Sequence, residues 1–250
     1  MYKEVNVREI EKNQLCGLCD HTFLLRPEVF RGEGKSAVKA CREELIRFLE
    51  DTISSPLKPY AVCVRAEEVK FTHDFLDGTD IVVAATAGFP DGATPTELTI
   101  VEARFALDNG AKEVDMVLDT AAFKAGDEAA AIKDIAAVEK VVHDKGGLLK
   151  LILETSELKA TEIERACQLA DEMGVDFVKT STGFSAYGAR AEDLSIMARV
   201  FPRGIKISGG VTENNVRDLL AAAAGGESVV CDPKNLRIGE SSLLQSLATS

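Results

Sequence analysis

Alternation between strand-like and helix-like patterns runs through the whole chain and limits the folds that the chain can adopt. Short runs of β-branched or small apolar residues predict buried parallel strands, because strands covered on both faces are apolar throughout. The predicted strands are residues 15–21, 60–64, 81–87, 114–118, 148–153, 175–178, 205–207 and 236–238. The predicted helices are residues 35–50, 67–76, 95–107, 127–143, 161–173 and 212–224, with a last helix from residue 242.

Eight strands that alternate with helices predict an α/β fold, namely a (β/α)8 TIM barrel formed as a single domain over residues 1–250. The chain of 250 residues has 46% hydrophobic residues, which suffices for one large core, and single barrels often have this length. An open doubly wound sheet shows the same alternation and stays an alternative. It is less favoured, because no G-x-G-x-x-G motif follows the early strands.

The net charge limits the kinds of binding partner, and the cysteines indicate the cellular compartment. The chain has 29 Lys+Arg against 41 Asp+Glu residues and a formal charge of −12, which argues against nucleic acid or an anionic membrane as partner. No stretch is long and apolar enough for a membrane helix, and the N-terminus lacks the apolar core of a signal peptide. The six cysteines are expected to be reduced thiols in a cytoplasmic protein. Cys16 and Cys19 form a single C-x-x-C, and no second pair completes a metal site.

Lys179 is unusual because it directly follows the predicted buried strand 175–178. A lysine in such a place must be paired with a carboxylate or lose its proton, since an unpaired buried charge is costly. A neutral lysine is a nucleophile and forms Schiff bases with carbonyl compounds. The alternative is an ordinary lysine whose side chain leaves the strand for solvent.

Charged residues also lie within two other predicted strands, near the ends where barrel enzymes build their active sites. Asp115 lies in the fourth strand and Lys206 in the seventh. These charges are tolerable in strands covered on both sides if they meet. One lysine would then stay charged beside the carboxylate, and its charge would push the other lysine towards the neutral amine. A structural salt bridge across the barrel interior is the alternative, because ion-pair networks also shift protonation.

Glycines and hydroxyl-bearing residues after the last three strands predict a phosphate site, which we call the phosphate cup. Its residues are Thr182, Gly183, Gly209, Gly210, Ser241 and Ser242. Glycines let backbone amides approach an anion closely, and a Ser-Ser helix start presents further donors.

Seven short segments, taken together, resemble the deoxyribose-phosphate aldolases, a family of class I (Schiff-base) aldolases with a (β/α)8 barrel. In chain order they are Asp20-His21-Thr22, 61–64 (AVCV), 88–92 (GFPDG), 113–117 (EVDMV), 177–183 (FVKTSTG), 206–210 (KISGG) and 237–244 (RIGESSLL). The pair K-T-S-T-G and K-x-S-G-G is specific, whereas each of the others is weak by itself. The resemblance covers almost the whole chain.

The resemblance implies that Lys179 is the Schiff-base lysine and that Asp115 and Lys206 relay protons. For substrate binding it implies Asp20, Thr22 and the pocket-lining Cys63, together with the phosphate ligands Gly209, Gly210, Ser241 and Ser242. Two features depart from the family pattern. Phe184 stands where some members carry a phosphate-binding lysine, and residues 247–250 lack the terminal tyrosine that some members fold over the site.

The implied reaction is the reversible cleavage of 2-deoxy-D-ribose 5-phosphate into D-glyceraldehyde 3-phosphate and acetaldehyde, in deoxyribonucleoside catabolism. The resemblance implies no cofactor and no metal ion, and it suggests a homo-oligomer, either a dimer or a tetramer. Two alternatives are a Schiff-base aldolase for another sugar phosphate and a catalytically silent barrel that binds sugar phosphates. Acetaldehyde self-condensation discriminates the first alternative, which differs in its aldehyde donor, and the absence of a lysine adduct identifies the second.

Overall fold

The computed structural model describes residues 2–31 and 36–249, and eight parallel strands within them close into a barrel. The described residues form ten strands, of which β1 and β9 lie outside the barrel. They are β1 Glu4–Asn6, β2 Cys19–Phe23, β3 Ala61–Arg65, β4 Val82–Ala87, β5 Glu113–Val117, β6 Leu148–Ile152, β7 Phe177–Lys179, β8 Gly204–Ser208, β9 Ser228–Val230 and β10 Leu236–Glu240. Strands β2 to β8 follow one another around the barrel, and β10 pairs with both β8 and β2. The barrel is therefore closed, and the prediction of a TIM barrel rather than an open sheet is confirmed.

Helices surround the barrel between successive strands. They are α1 Lys12–Cys16, α2 Ala37–Ser54, α3 Val69–Phe75, α4 Thr96–Asp108, α5 Thr120–Lys124, α6 Glu128–Asp144, α7 Ala160–Glu172, α8 Ala191–Val200, α9 Val216–Ala224 and α10 Leu243–Thr249. Acidic caps begin two of them: the side chain of Asp119 accepts from Ala122 N at 2.9 Å, and that of Asp127 from Ala130 N at 3.0 Å. Over residues 2–31 and 36–249, no helix has the length and apolar character needed to cross a bilayer.

Bulky side chains fill the lower half of the barrel interior, below the strand ends that carry the polar residues. Phe177 begins β7 and points to the same side as Lys179, since residues two apart on a strand share a face. A Cβ atom at Gly204 would lie 2.4 Å from the Phe177 ring, so glycine is required beside it. The Arg237 guanidinium lies 3.7 Å from the centroid of the Tyr60 ring. These side chains therefore pack closely in this part of the barrel interior.

The beginning of the chain differs from the prediction in its first strand. Residues 15 and 16 end α1, and β2 begins only at Cys19. The side chains of Leu15 and Cys16 are buried. A short apolar run does not distinguish a buried helix turn from a buried strand, which explains the wrong assignment. The predicted start of the next helix at Lys35 lies outside the described residues. Helix α2 continues to Ser54, four residues beyond the predicted end at residue 50.

Helices α5 and α8 and a two-stranded ribbon had no counterpart in the prediction. Helix α8 lies between β7 and β8, and its Leu194 and Met197 are fully buried at helical spacing. Strands β1 and β9 pair antiparallel outside the barrel, with Val5 opposite Val229. Strands of three residues are too short to show a periodic pattern, so the sequence carries little signal for this ribbon.

His143 lies between two carboxylates near the end of α6. Its Nδ1 is 2.7 Å from Glu139 Oε1, and its Nε2 is 2.8 Å from Asp176 Oδ2. Both ring nitrogens can donate only in the protonated ring. Burial by itself would lower the pKa of His143, but the two carboxylates outweigh burial and raise it.

Replacing His143 with glutamine is expected to lower the thermal midpoint more at mildly acidic than at alkaline pH. A raised folded-state pKa contributes stability that is fully present below the unfolded-state pKa and is lost as the pH rises through the folded-state pKa. Thermal unfolding of both proteins at about pH 5.5 and about pH 9 measures the difference. An equal loss at both pH values would contradict a charged His143.

Candidate active site

Lys179 is the last residue of β7 and lies at the bottom of a cavity on the carboxyl-terminal face of the barrel. Its side chain is 2% exposed, and its Nζ donates to Asp115 Oδ2 at 2.9 Å. On the neighbouring strands it lies beside Ile152 and Lys206. The strand position predicted for Lys179 is therefore occupied by a buried amine that reaches a cavity.

Asp115 accepts hydrogen bonds from three lysines. Its Oδ2 accepts from Lys179 at 2.9 Å and from Lys206 at 2.8 Å, and its Oδ1 accepts from Lys150 at 2.9 Å. Burial by itself would raise the pKa of Asp115, but the three ammonium groups outweigh burial and hold it well below its usual range. The structure thus brings Asp115, Lys179 and Lys206 together as predicted and adds a third lysine.

Two further carboxylates enclose these lysines from below. Asp20 Oδ2 accepts from Lys206 at 2.5 Å, and its Oδ1 accepts from Arg237 at 2.6 Å. Glu113 accepts from Arg237 at 2.6 Å and from Lys150 at 2.5 Å. We call Asp20, Glu113, Asp115, Lys150, Lys179, Lys206 and Arg237 the charged cluster. All seven residues are buried.

The protonation of the buried lysines follows from this arrangement. Burial by itself would lower the pKa of Lys206, but Asp115 and Asp20 outweigh it and raise the pKa well above the ordinary value. The pKa of Lys150 is raised in the same way, against burial, by Asp115 and Glu113. Both side chains therefore stay ammonium ions at neutral pH.

The cavity above Lys179 has a volume of about 660 Å³, which lies within the range of small-molecule sites. Its lining contains Thr22 from the end of β2 and every residue of the phosphate cup, namely Thr182, Gly183, Gly209, Gly210, Ser241 and Ser242. The structure thus places the predicted nucleophile and the predicted phosphate ligands in one space.

Tight backbone contacts hold the phosphate cup in shape. Ala189 N donates to Gly209 O at 3.0 Å, and a Cβ atom at Gly188 would lie 2.1 Å from that oxygen. Thr182 is anchored by Glu154, whose carboxylate accepts from Thr182 N at 3.1 Å and from the Thr182 hydroxyl. Glu154 itself has a left-handed backbone with φ of 52°. A non-glycine residue in this conformation is strained, which is frequent at functional sites.

Comparison with known proteins identifies the family. A family model described as DeoC/LacD family aldolase matches residues 18–247. The deoxyribose-phosphate aldolase of Thermococcus gammatolerans is 41% identical over 205 residues, which are 80% of this chain and 89% of the relative. The chain belongs to the deoxyribose-phosphate aldolase family. The deoxyribose-phosphate aldolase of Alkaliphilus oremlandii is 47% identical over 167 residues, or 66% of this chain and 72% of that one.

Solved structures of aldolases share the fold. A crystal structure from Coccidioides immitis, assigned as a deoxyribose-phosphate aldolase, has a TM-score of 0.73 and 29% identity, and the match covers 95% of this chain and 87% of that one. The aldolase QR15 has a TM-score of 0.76 and 26% identity over 94% of each chain. The chain is therefore an enzyme of the lyase class, as the resemblance of the motifs to deoxyribose-phosphate aldolase implied.

Two of the substrate positions implied for this aldolase lie beneath the cavity surface. Cys63 is fully buried, and its Sγ lies 4.0 Å from Asp115 Oδ2 instead of lining the cavity. Burial, with a further contribution from Asp115, raises the pKa of the Cys63 thiol to about 11, so the thiol stays protonated at neutral pH. Both oxygens of Asp20 are occupied by Lys206 and Arg237. The side chains of Cys63 and Asp20 are therefore buried behind the cavity wall.

The two departures from the aldolase family pattern lie at the cavity mouth and in the last helix. Phe184 lines the cavity, is 56% exposed and packs edge-to-face on Phe89 at 5.3 Å. The last helix, α10, ends at Thr249, and its Leu247 is buried in the core. Ser250 lies outside the described residues.

Sequence reasoning did not single out Lys150, Glu113 or Arg237 as members of the charged cluster. The signal was present as charges at alternate positions of strands: Glu113 and Asp115 are two apart on β5, and Lys150 interrupts the apolar β6. It also missed the contact between His21 Nδ1 and Glu240 Oε1 at 2.6 Å, which joins β2 and β10. Their separation of more than 200 residues leaves no local pattern to detect.

Proposed function

We propose that Lys179 performs the reaction of this family, the reversible cleavage of 2-deoxy-D-ribose 5-phosphate into D-glyceraldehyde 3-phosphate and acetaldehyde. The observation that carries the proposal is its position: a buried amine at the cavity floor, 2.9 Å from Asp115 Oδ2. The amine attacks C1 of the open-chain aldehyde, water leaves, and a protonated imine forms. The cationic imine then acts as an electron sink.

The charged cluster contains one more basic side chain than carboxylates. Its carboxylates are Asp20, Glu113 and Asp115, and its basic side chains are Lys150, Lys179, Lys206 and Arg237. One positive charge is therefore in excess when all are ionised, and an uncompensated buried charge is costly. Of the four basic side chains, Lys179 lines the cavity. Lys179 is therefore the basic side chain of the charged cluster that a substrate carbonyl can reach.

The carbon–carbon cleavage needs a proton to leave and another to arrive. The hydroxyl proton at C3 is removed, the C2–C3 bond breaks, and its electron pair moves through C1 to the imine nitrogen to give an enamine. Protonation at C2 and hydrolysis then release acetaldehyde and free Lys179. We assign these transfers to Asp115 and Lys206, acting through water, because Asp115 Oδ2 contacts the Nζ atoms of both Lys179 and Lys206.

Trapping with acetaldehyde tests the proposal. Incubation with acetaldehyde and borohydride is expected to leave a two-carbon adduct on Lys179, detected by mass spectrometry after digestion. An adduct together with cleavage of deoxyribose 5-phosphate supports the whole proposal. Absence of an adduct in protein that still binds the sugar phosphate favours the catalytically silent barrel. An adduct without cleavage favours an aldolase for another sugar phosphate.

Location and assembly are part of the proposal. We place the enzyme in the cytoplasm, supported by six free cysteines, all of them buried. We also propose a homo-oligomer, either a dimer or a tetramer. Three exposed apolar side chains at helical spacing on α4, Leu98, Val101 and Phe105, support it, because such faces mark protein contacts. Light scattering coupled to gel filtration measures the assembly.

A further inference from the structure

The phosphate cup contains no cationic side chain of its own. Its ligands are backbone amides and the hydroxyls of Thr182, Ser241 and Ser242, and Phe184 follows the cup residue Gly183. Among the described residues that line the cavity, the cationic side chains are Lys179 and Arg47. Because Lys179 is committed to the carbonyl carbon, Arg47 is the cation left for the other end of the substrate.

The electrostatic setting makes such a cation necessary. The chain has a formal charge of −12, so a phosphate dianion approaches against an unfavourable field. The residues that line the cavity include the acidic Glu44 and Asp51. Backbone amides and hydroxyls supply hydrogen bonds but no net charge. A charge-assisted hydrogen bond to the phosphate would therefore contribute more than any neutral donor of the cup.

Helix α2, which carries Arg47, is fixed against the segment that carries the cup serines. Phe48 stacks on the His21 ring with the centroids 4.2 Å apart, and His21 Nδ1 is 2.6 Å from Glu240 Oε1. Glu240 directly precedes Ser241, and its other oxygen accepts from Leu244 N at 3.2 Å. The turn of α2 next to Arg47 is thereby tied to the cup.

Arg47 can change partners at little cost. Its side chain is 66% exposed, and its guanidinium contacts Glu44 Oε2 at 2.5 Å across one helix turn. Exposed ion pairs of this kind contribute little to stability. The planar guanidinium group can also donate two hydrogen bonds to a phosphate group, whereas the structure shows one contact to Glu44.

We propose that Arg47 binds the phosphate group of the substrate, exchanging its contact with Glu44 for the phosphate oxygens. Arg47 thus determines specificity for phosphorylated over unphosphorylated aldehydes and takes no part in the carbon–carbon cleavage. The inference rests on the function proposed above, because it concerns the far end of the same substrate.

Kinetics with two substrates test this role. Arg47→Gln is expected to raise KM for deoxyribose 5-phosphate by about tenfold, the size of one lost charge-assisted hydrogen bond. Its kcat for that substrate and its kcat/KM for unphosphorylated 2-deoxyribose are expected to change by less than about twofold. Lys39→Gln is the matched control, since Lys39 lies on the same helix, is 71% exposed and does not line the cavity.

Glu44→Gln supplies the converse test. Removal of the competing carboxylate is expected to lower KM for deoxyribose 5-phosphate and to strengthen competitive inhibition by inorganic phosphate. In the Arg47→Gln background the same substitution is expected to have a smaller effect on phosphate inhibition, because the competing contact is gone and only the repulsion between Glu44 and phosphate is removed.

Three outcomes would overturn the assignment of Arg47. The first is an equal change in kcat/KM for both substrates in Arg47→Gln, and the second is the same rise in KM in Lys39→Gln. The third is unchanged phosphate inhibition in both Arg47→Gln and Glu44→Gln. Failure of the unsubstituted protein to cleave either sugar would instead refute the proposed function, so the two failures are distinguishable.

Discussion

Replacing Lys179 with leucine is expected to abolish cleavage of deoxyribose 5-phosphate and borohydride trapping while leaving the protein folded. Loss of the nucleophile in covalent catalysis reduces kcat by a factor on the order of 10⁴ or more. The fold is expected to survive, because the variant leaves three carboxylates facing Lys150, Lys206 and Arg237. Activity assays, trapping and thermal unfolding of the variant measure these three effects.

A matched control separates the nucleophile from a general effect of losing a lysine. Lys133→Leu removes an ammonium group from α6 that is 67% exposed and 3.9 Å from Glu97. It is expected to keep full activity and to form the adduct on Lys179. Turnover retained in Lys179→Leu, or an adduct that persists on a different lysine, would end the assignment.

Asp115→Asn is expected to damage both stability and catalysis. The substitution keeps the shape of the side chain but removes the carboxylate that Lys150, Lys179 and Lys206 share. Lys150 keeps Glu113 and Lys206 keeps Asp20, whereas Lys179 loses its ion pair with Asp115. Removing one partner of a buried ion pair typically destabilises a protein by about 3–5 kcal/mol. Loss of the proton path is expected to lower kcat by about 10²–10⁴-fold. Urea unfolding and steady-state kinetics measure the two losses.

A double substitution tests whether excess positive charge causes the instability. In the Asp115→Asn background, Lys179→Leu removes one cation from the charged cluster and is expected to recover part of the lost free energy of unfolding. Asp144→Asn is the control for the substitution itself, because Asp144 is 63% exposed and pairs with Lys140 on the helix surface. If Asp115→Asn is as stable as the control, the cluster is not held together as described.

The succession of strands was predictable because each buried strand is a local run of apolar residues. All five residues of β3 are buried, as are those of β5, and each strand stands between helices whose buried positions recur at helical spacing. Helix α8 escaped prediction although Leu194 and Met197 have that spacing, because the Gly- and Ser-containing segment before it resembles a long loop. The first strand was misplaced because the short helix α1 is equally apolar at its end.

The candidate site was predictable where a charged residue interrupts an apolar strand or where glycines follow the end of a strand. Asp115, Lys179 and Lys206 were predicted to meet on that ground, and their contacts of 2.9 and 2.8 Å follow from the closed barrel. Lys150 and Arg237 show the same signal, a basic residue within a strand, but they were not singled out. The pattern of one strand also does not say which carboxylate on another strand pairs with its charge.

Local pattern therefore determined the order of strands and helices, the class of barrel and the kinds of side chain at the strand ends, because these depend on neighbours in the sequence. Tertiary structure alone decided which charges pair, that the basic side chains of the charged cluster outnumber its carboxylates by one, and that Arg47 lines the same cavity as the phosphate cup. Electrostatic interactions depend on distance in space and on burial. Both quantities are set only when the barrel closes and β10 pairs with β2.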